Sequence, residues 1–250
     1  LTMAYDLSDT LTLKSITSYR DLESNLFIDI DATSLEIGDV FVGIDQDQFS
    51  QELQLLGDNG SNLNWVLGAY YLEESVPSYQ EAYADDFLLF TGLPVSFLRT
   101  IEDDLQTKSY AVFGQVDWDI TDRWTAGLGI RYTYEEKEYA RSTSTFSDIL
   151  GNADPAFAFE DDDDWDAWTP TFTVGYTPSE ALNLYGRLAR GFKSGGFNGR
   201  ANSADDVSTF DPETVWSLEL GAKAVMLDGR LSANFAVFES RYEDFQARVS

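Results

Sequence analysis

The residues best suited to chemistry lie in one glycine-rich stretch, GRLARGFKSGGFNGR, over residues 186–200. Gly186 and Gly191 have the spacing of a phosphate-binding loop, but Lys193 comes one position too late for that motif. Such a loop also needs a strand before it and a helix after it, and no helical periodicity follows here. We therefore reject the phosphate-loop interpretation and predict that the stretch ends a strand and opens a tight outer loop.

The same stretch carries basic and amide donors that can meet an anionic or hydroxylated solute. We therefore predict ligand contacts for Arg190, Lys193, Asn198 and Arg200. Aromatic rings in other polar segments offer stacking surfaces for a ligand or a sugar ring, or pack against one another. We predict stacking for Tyr79, Tyr83 and Trp165, and the same segments also contain Phe87, Phe90, Phe97, Phe197 and Phe210.

A run of acidic residues, EDDDDWD over 160–166, offers carboxylate oxygens of the kind that bind Ca²⁺. The D-x-[DN]-x-[DN]-G spacing of a calcium loop is absent, so we expect a solvated loop and leave a cation site there open. No metal ligand set is assigned, and no cofactor is predicted.

The chain contains neither cysteine nor histidine. Zinc–thiolate sites, haem–histidine ligation, Ser-His-Asp triads and Cys-His pairs are therefore excluded within it, and we expect that it is not an enzyme. Its 16 basic and 44 acidic residues give a net charge of −28, which argues against nucleic acid as a partner.

The elements that must position these residues are strands, because two-residue alternation dominates the chain. In residues 109–134 the even positions are apolar with aromatic residues at both ends, and the odd positions are mostly Thr, Gly, Gln, Asp and Arg. Tyr110 to Trp118, and Trp124 to Tyr132, each span roughly 19 Å along the normal of a bilayer if the strands tilt near 45°. Outer-membrane barrels have an apolar band about 25 Å tall between two aromatic girdles. We predict membrane-interface positions for Trp65, Tyr71, Tyr110, Trp118, Trp124, Tyr132, Tyr134 and Trp216.

Short turns are predicted near 6–10, 57–62, 120–123, 177–181 and 227–230, and long polar segments lie between them. This alternation is typical of a barrel with short turns on one side and long loops on the other. The long segments are 32–44, 78–104, 143–164 and 196–211. About ten strands are predicted, namely 1–7, 11–31, 45–57, 62–77, 105–120, 123–142, 165–178, 181–195, 212–227 and 230–249. The fold class is therefore all-β, an antiparallel transmembrane β-barrel. The alternative is a soluble β-sandwich or lipocalin-like barrel, in which the apolar face would form the core.

Several segments resemble TonB-dependent outer-membrane receptors, in particular the large group found in proteobacteria such as sphingomonads. They are LTLKSITSYRD, QFSQELQLLG, NWVLGAYYLEE, YGRLARGFKSGGFNGR and the segment that begins FDPETVWSLELGAK. The resemblance implies a 22-stranded barrel with an N-terminal plug domain. It also implies a receptor that imports a scarce solute (a ferric siderophore, a cobalamin or an oligosaccharide) with energy from the TonB complex.

On this view residues 1–250 are a partial barrel domain of about ten strands, and the plug domain and C-terminal strands lie outside this chain. The expected partners are outer-membrane lipid, the small-molecule or oligosaccharide ligand, and the TonB complex acting through the N-terminal plug region. The alternative function is a passive, porin-type channel in the same membrane. A barrel enzyme or an adhesin is a third class, and the absence of histidine argues against the enzyme.

Overall fold

The computed structural model describes residues 1–86, 96–147 and 151–247. Apart from one short 3-10 helix at Ala204–Asp206, the regular elements are strands. Within the described residues, no helix is long and apolar enough to cross a membrane. The strands are β1 (Thr2–Ser8), β2 (Leu11–Ile28), β3 (Asp39–Asp58), β4 (Leu63–Ala84), β5 (Phe97–Asp119), β6 (Trp124–Ser147), β7 (Gly151–Trp168), β8 (Thr171–Ser179), β9 (Leu182–Lys193), β10 (Gly196–Phe197), β11 (Thr209–Phe210), β12 (Glu213–Met226) and β13 (Leu231–Glu243).

Eleven strands form one antiparallel sheet in the order β1-β2-β3-β4-β5-β6-β8-β9-β12-β13, with β7 also paired to β6. β7 and β8 behave as one strand, because Trp168 pairs with Tyr132 and Thr171 pairs with Gly129 without a change of register. The break between them falls at Pro170, which has no backbone N–H to donate. The sheet therefore has ten long strands when β7 and β8 are counted together, as the alternation predicts.

Tight connections join successive strand pairs at one end of the sheet, which we call the turn end. The longer connections lie at the opposite, loop end. This asymmetry confirms the turns that the sequence predicts near 6–10, 57–62, 120–123, 177–181 and 227–230.

The predicted strand boundaries are wrong at the loop end. Much of the predicted loops 32–44, 78–104 and 143–164 is strand, because β3, β4, β5, β6 and β7 all extend into them. The predicted strand 165–178 is likewise only the turn-end part of the composite β7–β8 strand. Polar side chains occupy both faces in much of these extensions, so the two-residue alternation fades while the backbone pairing continues.

Strand pairing gathers the apolar residues on one side of the sheet, which we call the outer face. Leu67 lies opposite Gly114, and Val116 lies opposite Leu128, so these side chains form one continuous band. Leu67 is 56% exposed and Leu128 is 52% exposed, although both are large and apolar. An apolar band this exposed is the surface that a bilayer covers.

The structure places all eight predicted interface aromatics on the outer face. At the loop-end edge of the band, Tyr71 and Tyr110 pack with ring centroids 5.3 Å apart. At the turn-end edge, Trp124 stacks on Tyr176 at 4.4 Å, and the indole of Trp65 covers Gly57. The girdle arrangement is therefore present, and the contact of these eight residues with the membrane interface stays a prediction.

The opposite side of the sheet, the inner face, holds the buried residues of the central strands. They alternate on the inner face of β5, β6 and β7: Thr107, Ser109, Ala111, Tyr139, Arg141, Thr143, Ser147, Trp165 and Ala167. Burial of polar residues opposite an exposed apolar band is the reverse of a soluble sandwich. This distribution favours the transmembrane barrel.

A charged residue in the middle of the apolar band tests this orientation. In the intact protein that contains this chain, Leu128→Arg on the outer face should lower the free energy of unfolding from bilayers by about 2–4 kcal/mol. The matched control is Gln115→Arg, which lies on the inner face of β5 opposite Gly129. It should change the free energy of unfolding by under about 1 kcal/mol, and equal losses for the two variants would contradict the assignment of faces.

Candidate functional site

The glycine-rich stretch folds back over the inner face of the sheet. We call residues 194–202, which follow the end of β9, the rim strap. Its β10 pairs with β11, and the strap passes over Tyr139 and Trp165 of the sheet wall. Ala201 in the strap is fully buried. The motif that carries the family resemblance therefore forms a layer against the wall at the loop end.

Two adjacent glycines allow this close approach. A Cβ atom on Gly195 would lie 2.4 Å from the carbonyl oxygen of Phe210 and from the indole of Trp165. A Cβ atom on Gly196 would lie 2.8 Å from the Phe210 ring. Both separations are too short for real carbon contacts. At Gly195 the obstacle includes a backbone atom, so this position requires glycine, whereas at Gly196 the Phe210 ring would have to move to admit a Cβ atom. At Gly199, in contrast, the nearest atom would be 3.7 Å away, which is ordinary van der Waals contact.

Lys137 on β6 anchors the start of the strap. Its Nζ donates to Ser194 Oγ at 2.6 Å and to the carbonyl oxygen of Gly195 at 2.9 Å. Glu135 pairs with the same ammonium at 3.2 Å and accepts a hydrogen bond from the Ser194 hydroxyl. The Lys137 ammonium also lies 5.5 Å from the centre of the Trp165 ring, a cation–π distance.

A second anchor holds the far end of the strap. The Arg141 guanidinium donates from Nε to the carbonyl oxygen of Ala201 at 2.9 Å, and from Nη1 to both carboxylate oxygens of Asp103 at 2.7 and 2.9 Å. The Tyr139 hydroxyl donates to Asp103 Oδ1 at 2.6 Å, and its ring stacks on Phe197 of the strap. Arg141 is 5% exposed, so this ion pair is shielded from water.

Burial, followed by the hydrogen bond to Asp103, raises the pKa of Tyr139 to about 12. Tyr139 lies on the loop-end side of Tyr134, beyond the apolar band. Its phenol therefore remains protonated at any physiological pH and keeps donating to Asp103.

The strap and the inner face of the sheet together line an open cavity of about 590 Å³. Three arginine side chains reach it: Arg99 from β5, Arg141 from β6 and Arg200 from the strap. The amide side chains of Gln80 and Asn202 also line it. A cavity of this size with guanidinium and amide donors can bind a small anion or an anionic chelate.

The four predicted rim donors are not gathered at one place. Arg200 lines the cavity, and Asn198 closes the strap turn by accepting a hydrogen bond from the Arg200 backbone N–H at 3.1 Å. Lys193 ends β9 and is exposed. Arg190 lies on the outer face opposite Trp216, where its Nη1 donates to the carbonyl oxygen of Trp168 at 3.3 Å.

The three predicted stacking residues are also separated. Trp165 lies on the inner face, 8% exposed beneath the strap, and packs against Phe197 at 6.2 Å. Tyr79 and Tyr83 lie on the outer face of β4, in the same alternation as the girdle residue Tyr71. Of the other aromatics, Phe97 begins β5, Phe210 covers Gly196, and the predictions for Phe87 and Phe90 fall outside the described residues.

The expectation of a loop for 160–166 is wrong, because this stretch is part of β7 and pairs with β6. Most of its acidic side chains are nevertheless exposed, namely Glu160, Asp161, Asp162, Asp164 and Asp166. Its acidic side chains alternate between the two faces of the sheet, with Asp161 and Asp163 on the inner face, so they do not converge on one point. Among the described residues, the acidic group whose carboxylate oxygens lie within 4.8 Å of one another is instead Asp29, Asp31 and Asp39 at the loop end.

Sequence reasoning missed the wall residues Asp103, Lys137, Tyr139 and Arg141. One signal was available, since Lys137, Tyr139 and Arg141 occupy successive odd positions of the predicted strand 123–142. They continue the polar face beyond the aromatic edge at Tyr134. Nothing in the sequence, however, indicates that a segment some 60 residues later packs on them.

The fold and this site define an outer-membrane β-barrel whose wall carries a packed outer loop on its inner face. The family model for the β-barrel of TonB-dependent receptor-like proteins matches residues 1–250, and the chain belongs to this family. The chain is therefore part of a bacterial outer-membrane receptor. Because the members of this family are receptors, the family confirms the expectation that the chain is not an enzyme and does not favour a porin.

Relatives with known names agree with this placement. The pesticin receptors of Yersinia enterocolitica and Yersinia pestis are each 27% identical over 139 residues, which is 56% of this chain and 19% of the receptor. Among solved structures, the ferric yersiniabactin uptake receptor FyuA from Yersinia pestis has a TM-score of 0.80 at 20% identity. The siderophore receptor PiuA from Acinetobacter baumannii has a TM-score of 0.72 at 18% identity.

These structural matches cover 98% and 95% of this chain but only 35% and 38% of the two receptors. The chain thus spans about a third of their length. At these identities they show that the fold is shared.

Substitution of the strap glycines should release the strap. In an intact receptor otherwise free of cysteine, Ala201→Cys should react slowly with a thiol reagent, because residue 201 is fully buried. Adding Gly195→Ala should raise the reaction rate at least about tenfold, since the new methyl group clashes with Trp165 and Phe210. Adding Gly199→Ala should leave the rate unchanged, and similar rates in both backgrounds would show that the packing does not depend on Gly195.

The Tyr139 hydroxyl should lose its proton at a higher pH than an ordinary tyrosine. The phenolate absorbance of the wild-type receptor minus that of Tyr139→Phe should have its midpoint near pH 12, above the ordinary tyrosine pKa of 10.0. Because the folded state keeps a proton that the unfolded state loses, this contribution to stability is complete below pH 10 and is lost as the pH rises towards 12. A difference midpoint near 10 would mean that Tyr139 is not buried under the strap.

Proposed function

We propose that the intact receptor containing this chain imports a ferric siderophore across the outer membrane with energy from the TonB complex. The observation that carries the proposal is the inner-face cavity at the loop end, where a solute arriving from outside first meets the wall. The ferric yersiniabactin uptake receptor, whose fold this chain shares, supports a ferric chelate as the solute class.

The two faces of the sheet suit this task. The outer face seats the wall in lipid, while the inner face presents hydrated side chains and the strap to the lumen. The strap narrows the lumen on this side, which fits a selective receptor better than an open channel. Iron enters as cargo within its chelate, so the wall needs no metal ligands of its own.

The remaining parts of the machinery belong to the rest of the receptor. We propose a plug domain before this segment and further strands that close the barrel, because the two edge strands β1 and β13 expose unpaired backbone that lipid does not tolerate. The plug would close the lumen, and the TonB complex would act on it through a short N-terminal segment.

Uptake of radioactive iron as a panel of ferric siderophores tests the proposal. Cells that express the intact receptor should accumulate iron from at least one siderophore, and deletion of TonB should abolish the uptake. Liposomes that contain the receptor should show no passive flux of the same chelate.

Flux in liposomes without an energy source would identify a passive channel and would overturn the proposal. TonB-dependent uptake of a cobalamin or an oligosaccharide instead of iron would support the proposed active import but contradict the proposed siderophore substrate.

A further inference from the structure

We infer that the imported solute is an anion that carries carboxylate groups, and that Arg99 and Arg200 bind them in the inner-face cavity. The inference rests on the proposed function and names the charge of its substrate. It is carried by the different roles of the three arginines that line the cavity.

Basic residues are far fewer than acidic residues in this chain. Only 16 of its residues are basic while 44 are acidic, yet three guanidinium groups line one cavity. A cluster of positive charge on a negatively charged surface creates a local positive electrostatic potential. This potential attracts anions and disfavours cations relative to them. The charge of the side chains that line the cavity is therefore opposite in sign to the net charge of the chain.

Arg141 is not the residue that binds the solute. Its guanidinium is paired with both oxygens of Asp103 and also holds the carbonyl oxygen of Ala201. With 5% exposure and a neutralised charge, it supports the strap and has little left to offer a ligand.

Arg99 and Arg200 keep their charge for a ligand. Neither has a carboxylate oxygen within 4.0 Å in the described part of the chain. Arg99 donates to two neutral groups, the Thr145 hydroxyl at 3.3 Å and the Asn202 side-chain oxygen. These bonds orient the guanidinium without neutralising it. The Arg200 side chain is exposed at the cavity and makes no hydrogen bond within the described residues.

The strap turn holds the two arginines at one cavity. Asn202 accepts from Arg99 and donates from Nδ2 to the carbonyl oxygen of Arg200 at 3.0 Å, so one amide links both residues. Gln80 on the neighbouring wall has no hydrogen-bond partner for its side chain within the described residues and adds a free amide. Guanidinium groups bind carboxylates through paired, charge-assisted hydrogen bonds, which makes a carboxylate-bearing ferric chelate the solute class that fits.

The test compares binding of two probes to the intact receptor: ferric citrate, an anionic carboxylate chelate, and ferrichrome, an uncharged hydroxamate chelate. Ferric citrate should bind, with an affinity that falls as salt is added. The double variant Arg99→Gln with Arg200→Gln should weaken binding by roughly a hundredfold, about tenfold for each lost charge-assisted bond. The double variant Arg99→Lys with Arg200→Lys should bind more tightly than the glutamine variant and less tightly than the wild type. Lysine keeps the positive charge but lacks the paired N–H donors of the guanidinium group.

The matched control removes the same two charges elsewhere. Arg123→Gln with Arg230→Gln changes the turn end of the sheet and should leave the affinity unchanged. The slow thiol reaction of Ala201→Cys should persist in the Arg99 and Arg200 variants, which shows that the strap remains seated.

The inference is overturned if wild-type receptor binds ferrichrome but not ferric citrate, or if the glutamine variants bind ferric citrate as tightly as the wild type. TonB-dependent uptake of ferrichrome alone would leave the importer standing and reject only the anionic solute. If no chelate is taken up under any condition, the proposed function itself fails.

Discussion

The structure depends on one constraint, the pairing of every backbone N–H and C=O group between neighbouring strands. Within lipid an unpaired backbone group costs several kcal/mol, so only a helix or a closed sheet can cross. Between the edge strands β1 and β13, neighbouring strands meet this demand through antiparallel registers, several of which run for more than a dozen pairs. Even Pro170, which lacks a donor, interrupts β7 and β8 without shifting the register.

Once pairing is fixed, each face of the sheet is free to meet its own surroundings. Near the turn end the outer face is apolar between aromatic edges, and the inner face is polar. Near the loop end polar side chains occupy both faces of β6 and β7. The same strands thus serve as a membrane wall in one half and as a scaffold for the strap in the other.

The strap creates the cavity on the inner face of the sheet. Gly195 and Gly196 allow close packing on Trp165 and Phe210, and the Arg141–Asp103 pair ties its far end down. Arg141, which holds the strap, is paired with Asp103, whereas Arg99 and Arg200 have no carboxylate partner among the described residues. In the site that we propose, this separation of the anchoring arginine from the solute-binding arginines would keep the shape of the cavity independent of solute binding.

The sequence by itself determined the class of fold. Alternation in residues 109–134 predicts the two faces and the girdle residues, and the turns predict ten strands, since these features depend on local periodicity and turn chemistry. Strand ends were not predictable where both faces become polar. The outer-face position of Tyr79 and Tyr83 follows from strand parity, because both share the odd parity of Trp65 and Tyr71 on β4. The sequence does not show, however, which segment covers the inner face.

Only the tertiary structure decided the site. Arg141 and its partner Ala201 lie 60 residues apart in the sequence, and Lys137 and its partner Ser194 lie 57 apart. No local sequence signal indicates either contact. Long-range contacts of this kind arise when a loop packs on a distant strand, and their geometry depends on sheet register and side-chain fit. The alternation of residues therefore determined the sheet and its two faces, and the packing of the strap determined the cavity on the inner face.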